Sequence, residues 1–155
     1  MDTVAEMSPE VWDDIMKVNL YANFHIIQAA APLLPPGASI VVTDSVAGLI
    51  PVQGSVAYAA SKAALRSMIN GVGGELIKQG IRINGVAPGY TYTPLLVYGG
   101  ITLEDLDAQV PVLEPIGRVQ QPAEIAPVYV TLADDQLSYG TGSIYGSHGA
   151  FLGAY

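Results

Sequence analysis

Ser39-Ile40-Val41-Val42-Thr43 is a short β-branched run, preceded by Pro35-Pro36-Gly37 and followed by a loop through Gly48, Pro51 and Gly54. Its length and side chains predict a buried strand. A long helix is predicted next, over about Ala57 to Gln79, with Gly80 as its left-handed terminus. Ile81-Arg82-Ile83-Asn84-Gly85-Val86-Ala87 then predicts a second strand, stopped by Pro88-Gly89. A strand, a long helix and another strand indicate two parallel strands joined by a crossover.

The flanks extend the same pattern. Ser8-Pro9-Glu10 is a helix start: Ser8 caps, Pro9 suits the first turn and Glu10 favours the positive end of the dipole. Trp12, Ile15, Met16, Leu20, Ile26, Ile27 and Ala30 recur at roughly helical spacing up to Pro35. After Pro88 come a polar, Gly-rich loop, a short helix near Thr102 to Gln109, and a helix from Gln121-Pro122-Ala123-Glu124 to about Ala133. Pro127 should remove one backbone bond from that helix and bend it. Ser143 to Ser147 is the last predicted strand. The fold class is therefore α/β, with three parallel strands and crossover helices in a single domain, 1–155. Parallel strands are apolar on both faces, and an open strand edge invites pairing, so something is expected to cover it.

Composition narrows the function. Half of the 155 residues are hydrophobic and 13% are charged, which suits one globular core. The net charge is −8, with only six Lys plus Arg, too few to build the basic face of a nucleic-acid binder or to seek an anionic membrane. Without cysteine there are no disulfides or thiolate metal sites, and His25 and His148 form no metal-ligand spacing, so no metal is expected. The amino terminus shows no signal-peptide pattern, and no apolar stretch reaches bilayer length. The cytoplasm is the expected compartment.

Tyr58-Ala59-Ala60-Ser61-Lys62 puts Tyr58 and Lys62 one helical turn apart on one face. An ammonium beside a phenol favours the phenolate, so the Tyr58 pKa is expected below its ordinary value of about 10. Such a phenol can donate or accept a proton at a carbonyl or alcohol oxygen. Ser45 lies on the loop leaving the first strand, at the carboxyl end where ligands bind in open α/β sheets. Its hydroxyl can bond the same substrate oxygen.

The segments Val18-Asn19-Leu20, Thr43-Asp44-Ser45-Val46-Ala47-Gly48, Tyr58 to Ala64, Ile81 to Gly89 and Thr141-Gly142 occur in one order. In that order they resemble the short-chain dehydrogenase/reductase family from the first residue to the last. The resemblance implies a partial Rossmann-type fold, the carboxyl-terminal part of a doubly wound parallel sheet, and carbonyl–alcohol chemistry with NADP or NAD. It implies roles as well. Asn19 matches the helix asparagine that holds a proton-relay water, Ser45 the serine that orients the substrate oxygen, and Tyr58 the general acid/base. Lys62 matches the lysine that binds the nicotinamide ribose and lowers the tyrosine pKa. Pro88, Gly89 and Thr93 match the loop against the nicotinamide, so cofactor contacts are expected from Tyr58, Lys62, Pro88, Gly89 and Thr93. Thr93-Pro94-Leu95, Gly117-Arg118-Val119, Gln121 to Val130 and Ser138-Tyr139 resemble the subgroup that includes NADP-dependent aldehyde reductases. The helices over 8–34 and 57–79 match the family's dimer contact, so a homo-oligomer acting on a small carbonyl or alcohol is expected.

Departures from the family pattern also carry expectations. No Gly-x-x-x-Gly-x-Gly turn precedes Asn19, and Gly71, Gly73 and Gly74 fall inside a helix. By resemblance Met1 falls where the fourth strand would finish, so the nucleotide-binding strands are expected to be missing. His148-Gly149-Ala150 stands where relatives often have Asp-Gly-Gly, and Asp44 where many have a second serine. His148 is most simply structural. Arg118 could bind a phosphate or pair with Glu114. Tyr90, Tyr92 and Tyr98 could line a pocket or pack their loop down. Glu104-Asp105-Leu106-Asp107 suggests a solvated helix face. Two other functions fit these residues: a cofactor-free isomerase or cyclase using Tyr58, Ser45 and Lys62, and a non-catalytic subunit.

Overall fold

A computed structural model of the chain describes residues 3–50 and 54–151, so Met1 and Pro51 lie outside the described residues. Three parallel strands form the sheet: β1 (Ser39–Thr43), β2 (Arg82–Pro88) and β3 (Ile144–Ser147), in the order β1-β2-β3. Ser39 faces Arg82 and Thr43 faces Val86; Gly85 faces Ile144 and Pro88 faces Ser147. The sequence places β2 one residue earlier than observed and begins β3 one residue early, with the same end. Among the described residues β1 is an edge strand, and no element pairs with its outer side.

Alternation along the strands sorts side chains onto two covered faces. Val42 and Ile83 join Ile27, Leu65, Ile69, Leu76 and Ile81 in one apolar cluster, with Ile40 and Ile144 packed on it. Val86 joins Ile125 and Leu132 on the other face, with Val41 and Tyr145 packed on that cluster. The first face is covered by α3 (Val56–Leu76) and by α2 (Ala22–Ala30), the second by α6 (Pro122–Ala133). Helices on both sides of a parallel sheet are the doubly wound arrangement the sequence predicts. Leu65 and Ile69 are fully buried, and each such side chain contributes about 1.5–3 kcal/mol relative to an exposed one.

Two motif segments act as structural ties. Arg82 is buried and donates to the carbonyls of Leu132 (3.1 Å) and Asp134 (2.9 Å), satisfying the end of α6. Asn84 donates to Gly140 O (2.8 Å) and accepts from Ser143 N (3.1 Å), fixing the turn before β3. Gly73 lies inside α3, where a Cβ would come 2.6 Å from the Cα of Gly142. The absent side chain lets the helix rest directly on that turn.

The region predicted as one helix over 8–34 is continuous but not uniform. α1 (Pro9–Met16) starts on Ser8, whose hydroxyl accepts from Val11 N. A π-helical segment, Lys17–Tyr21, follows, in which Ala22 N donates to Lys17 O, five residues back. α2 then ends in a short 3-10 turn, Ala31–Leu33. A short helix absent from the sequence prediction, α4 (Pro94–Tyr98), lies in the Gly-rich loop. α5 (Leu103–Leu113) runs past Gln109 and through Pro111. Within the predicted solvated segment Leu106 is buried, and Asp105 closes a capping box with Thr102. α6 continues through Pro127. Gly80 adopts the left-handed conformation expected of it (φ 75°).

Candidate active site

Parallel strands bring their carboxyl ends to one edge. Ser45 follows β1, Pro88 and Gly89 finish and follow β2, and His148 follows β3 there. Asp44 N donates to Val86 O (2.7 Å), so the ladder runs one residue beyond β1. Ser45 is extended and caps a 3-10 turn, Val46–Gly48; its Oγ accepts from Ala47 N at 3.1 Å. A Cβ on Gly48 would lie 2.8 Å from the backbone carbon of Lys62. Glycine thus allows the turn that starts at Ser45 to sit against the backbone of α3 at Lys62. From the first turn of α3 the Tyr58 phenol comes up beside the Ser45 hydroxyl, which favours the phenolate.

Lys62 is buried one turn further along. Its Nζ donates to Thr43 O (2.9 Å) and sits 5.7 Å from the centre of the Tyr58 ring. This corrects the expectation of a lowered phenol pKa. Burial pushes Tyr58 above its ordinary value; the Ser45 hydrogen bond pulls it down, and the Asp44 charge pushes it up. The ammonium lies over the ring face and bonds the Thr43 carbonyl, so it does not offset that burial. Burial lowers Lys62 itself, and the Asp44 charge opposes the effect.

Asn19 sits in the π segment. Its Nδ2 donates to Ser61 Oγ (3.0 Å), and Ser61 donates to the Tyr58 carbonyl (2.7 Å). The Asn19 carbonyl accepts from Asn23 Nδ2 at 2.8 Å. Asn19, Ser45, Tyr58 and Lys62 therefore share one hydrogen-bonded neighbourhood. Ser61 links it internally and was not singled out from the sequence. A buried hydroxyl three residues after Tyr58, on the same helix, is a signal only once the helix face is known.

The loop after β2 is held from below. Gly89 N donates to Ser147 O (2.9 Å), and a Cβ on Gly89 would run into the Glu114 carboxylate and the His148 backbone. Glu114 is buried and accepts from Tyr90 N (2.8 Å); burial raises its pKa and that hydrogen bond opposes the rise. Thr93 is partly buried and its carbonyl accepts from Leu96 N (3.1 Å) in the first turn of α4. Arg118 pairs with Glu124, not Glu114, through two hydrogen bonds of 2.8 and 2.7 Å, and this pairing holds the Glu124 carboxyl well below its ordinary range. The His148 Nδ1 accepts from Phe151 N (3.0 Å), a structural role. Tyr90 stacks on Phe151, whereas Tyr92 and Tyr98 are exposed. Among the described residues no three His, Asp or Glu side chains cluster as a metal site, and no helix is long and apolar enough to cross a membrane.

A family model described as enoyl-(acyl carrier protein) reductase matches residues 1–149. The chain belongs to the short-chain dehydrogenase/reductase family. It is 40% identical to the uncharacterized oxidoreductase YghA of Escherichia coli (strain K12) over 143 residues, 92% of this chain and 48% of that protein. It is 38% identical to the cyclohexanol dehydrogenase of Acinetobacter sp. (strain SE19), covering 97% of this chain and 59% of that one. The crystal structure of BdcA in complex with NADPH matches with a TM-score of 0.87 and 34% identity, over 97% of this chain and 60% of that one. The chain thus spans about half the length of the curated short-chain dehydrogenase/reductase relatives it matches.

Proposed function

We propose that this protein is an NAD(P)-dependent oxidoreductase that interconverts a small carbonyl compound and its alcohol in the cytoplasm, with Tyr58 as general acid/base. The Tyr58 phenol beside the Ser45 hydroxyl, with the buried Lys62 over its ring, carries this reading. Two hydroxyls on separate elements can converge on a single substrate oxygen. Tyr58 would give that oxygen a proton during reduction and take it back during oxidation. Ser45 would hold the oxygen in place, and Asn19, through Ser61, would fix the helical turn that carries the phenol.

The residues present fit the nicotinamide end of a dinucleotide. Gly89 N is tied to Ser147 O at the carboxyl end of β2, and Lys62 offers an ammonium at the same edge. Lys62, Tyr58, Pro88, Gly89 and Thr93 would hold that end. When bound, the nicotinamide supplies or takes up the hydride. NADPH in BdcA favours the phosphorylated cofactor, and the name of the cyclohexanol dehydrogenase favours an alcohol–ketone couple. The likeness to the aldehyde-reductase subgroup adds small aldehydes as substrates. The test is a turnover assay of the protein at millimolar cofactor, with NADPH and NADH against a panel of aldehydes and ketones and with NADP and NAD against alcohols. Turnover that Ser45→Ala lowers is expected. No turnover with any pair overturns the proposal.

Self-association is part of the same proposal. Val11, Trp12, Val18, Tyr21, Phe24 and Ile26 are exposed along the helix over residues 8–34, and α3 adds Val56. Exposed apolar side chains in this number favour an interface, and a second copy presenting the same surface would bury both through the helices over 8–34 and 57–79. Sedimentation velocity should show dimers or larger species. A stable monomer at micromolar concentration contradicts this.

A further inference from the structure

Glu114 has no role in the chemistry proposed above. It caps the carboxyl end of α5 and is almost fully buried, at 1% exposure. A buried carboxyl is ordinarily matched by a cation, and an unmatched one is costly to keep. Among the described residues no Lys or Arg pairs with Glu114, because Arg118, four residues on, turns to Glu124. The Glu114 bond goes to the main chain instead. Oε1 accepts from Tyr90 N at 2.8 Å, and the same carboxylate lies against Gly89, where a Cβ would collide with it. An apolar side chain of similar size would fill this space without burying a polar group, so packing alone does not call for Glu.

The segment it fastens is the one proposed to meet the nicotinamide. Gly89 N donates to Ser147 O, and Tyr92 N donates to Gln120 O, while Tyr90 O accepts from Gln120 N. Gln120 Nε2 in turn donates to Ser147 Oγ at 2.5 Å. The Gly89 and Tyr92 amides thus use main-chain carbonyls, which any residue supplies. The Tyr90 amide, between them, depends on one side chain. That bond spans 24 residues, so it also fixes where the excursion carrying α4 and α5 returns to the sheet.

We infer that Glu114 is a positioning residue: its buried carboxyl orients the Gly89–Tyr90 peptide, and with it the stretch of backbone that would receive the nicotinamide end of the cofactor. The tie itself stands on the geometry; its service to a cofactor rests on the function proposed above. The carboxyl need not be ionised for this. The carbonyl oxygen of a carboxylic acid accepts from an amide as a carboxylate oxygen does. What the position requires is an acceptor of that reach, turned inward beneath Tyr90.

Amide exchange is followed by NMR on the nitrogen-15-labelled protein as the parent, as Glu114→Gln and as Glu114→Ala. In the parent the Tyr90 amide should exchange slowly, like that of Tyr92. In Glu114→Ala it should exchange about tenfold faster, the effect of one lost hydrogen bond of this kind. Tyr92 and the core amides of Leu65 and Ile69 should keep their rates. Glu114→Gln retains an acceptor at nearly constant volume and should stay close to the parent. NADPH is then added to millimolar concentration. The Gly89 and Tyr90 amides should shift in the parent and in Glu114→Gln, and the shift at a given NADPH concentration should fall several-fold in Glu114→Ala. A Tyr90 amide that exchanges in the parent as freely as an exposed loop amide overturns the inference, and this measurement needs no variant to fold. So does a folded Glu114→Ala with parent-like Tyr90 exchange or a parent-like response to NADPH. So does Glu114→Gln as impaired as Glu114→Ala. Faster Tyr90 exchange in Glu114→Ala, with no shift on adding NADPH to the parent, supports the tie, overturns its service to the cofactor and counts against the proposed function.

Discussion

Tyr58→Phe should lower carbonyl–alcohol turnover by about 100- to 10,000-fold, the loss typical of one positioned acid/base group. The ring, its packing and its place at the start of α3 are kept. What disappears is one hydroxyl and its interaction with Ser45. Even a full hydrogen bond contributes a net ~1 kcal/mol to stability, far less than the total that holds a domain together. The variant should therefore fold, and a circular dichroism melt close to the parent would separate lost chemistry from lost structure. Lys62→Met should be at least as damaging with cofactor present, because one ammonium serves the Thr43 carbonyl, the Tyr58 ring and the expected ribose. Steady-state rates of purified variants decide the matter. Parent-level activity in Tyr58→Phe would sink the site assignment and leave the fold untouched.

The 155-residue chain on its own should bind NADPH or NADH at millimolar affinity or weaker. A dinucleotide draws much of its affinity from a Gly-rich turn at a helix amino terminus and from an acidic or basic residue at the adenine ribose. No glycine precedes Asn19 in this sequence, so that turn is not among these residues. The contacts it does offer are Tyr58, Lys62 and the Pro88–Thr93 loop. At about 1 kcal/mol for each polar contact, they barely offset the several kcal/mol of translational and rotational freedom lost on binding. Calorimetric titration of the isolated chain measures this directly. Micromolar binding would mean that the nucleotide site lies elsewhere on these residues, or that a second copy completes it.

The strands, the crossover helix and the catalytic cluster were legible in the sequence because each rests on local chemistry. Ser39 to Thr43 is β-branched, Gly80 can only end a helix, and Tyr58 and Lys62 are one turn apart whatever surrounds them. The phenol pKa was not legible. Its direction depends on whether the ammonium meets the oxygen or the ring face, and on a carboxylate fourteen residues earlier in the chain. α4 was hidden because five residues between Thr93 and Gly99 carry no period that a loop would lack. The place of Glu114 was hidden for a similar reason. In sequence it stands four residues from Arg118, an ordinary surface pairing, while the fold turns it inward beneath Gly89 and Tyr90.

The wide turn at Lys17–Tyr21 separates what the first helix builds from what it presents. A π turn carries one residue more than an α turn over the same axial span. Deleting one residue within 17–21 would therefore let Ala22 bond in the ordinary α pattern while α1 and α2 keep the faces they turn toward α3 and the sheet. Only the bulge, with Asn19 upon it, would be lost. The segment behaves as a one-residue insertion absorbed locally.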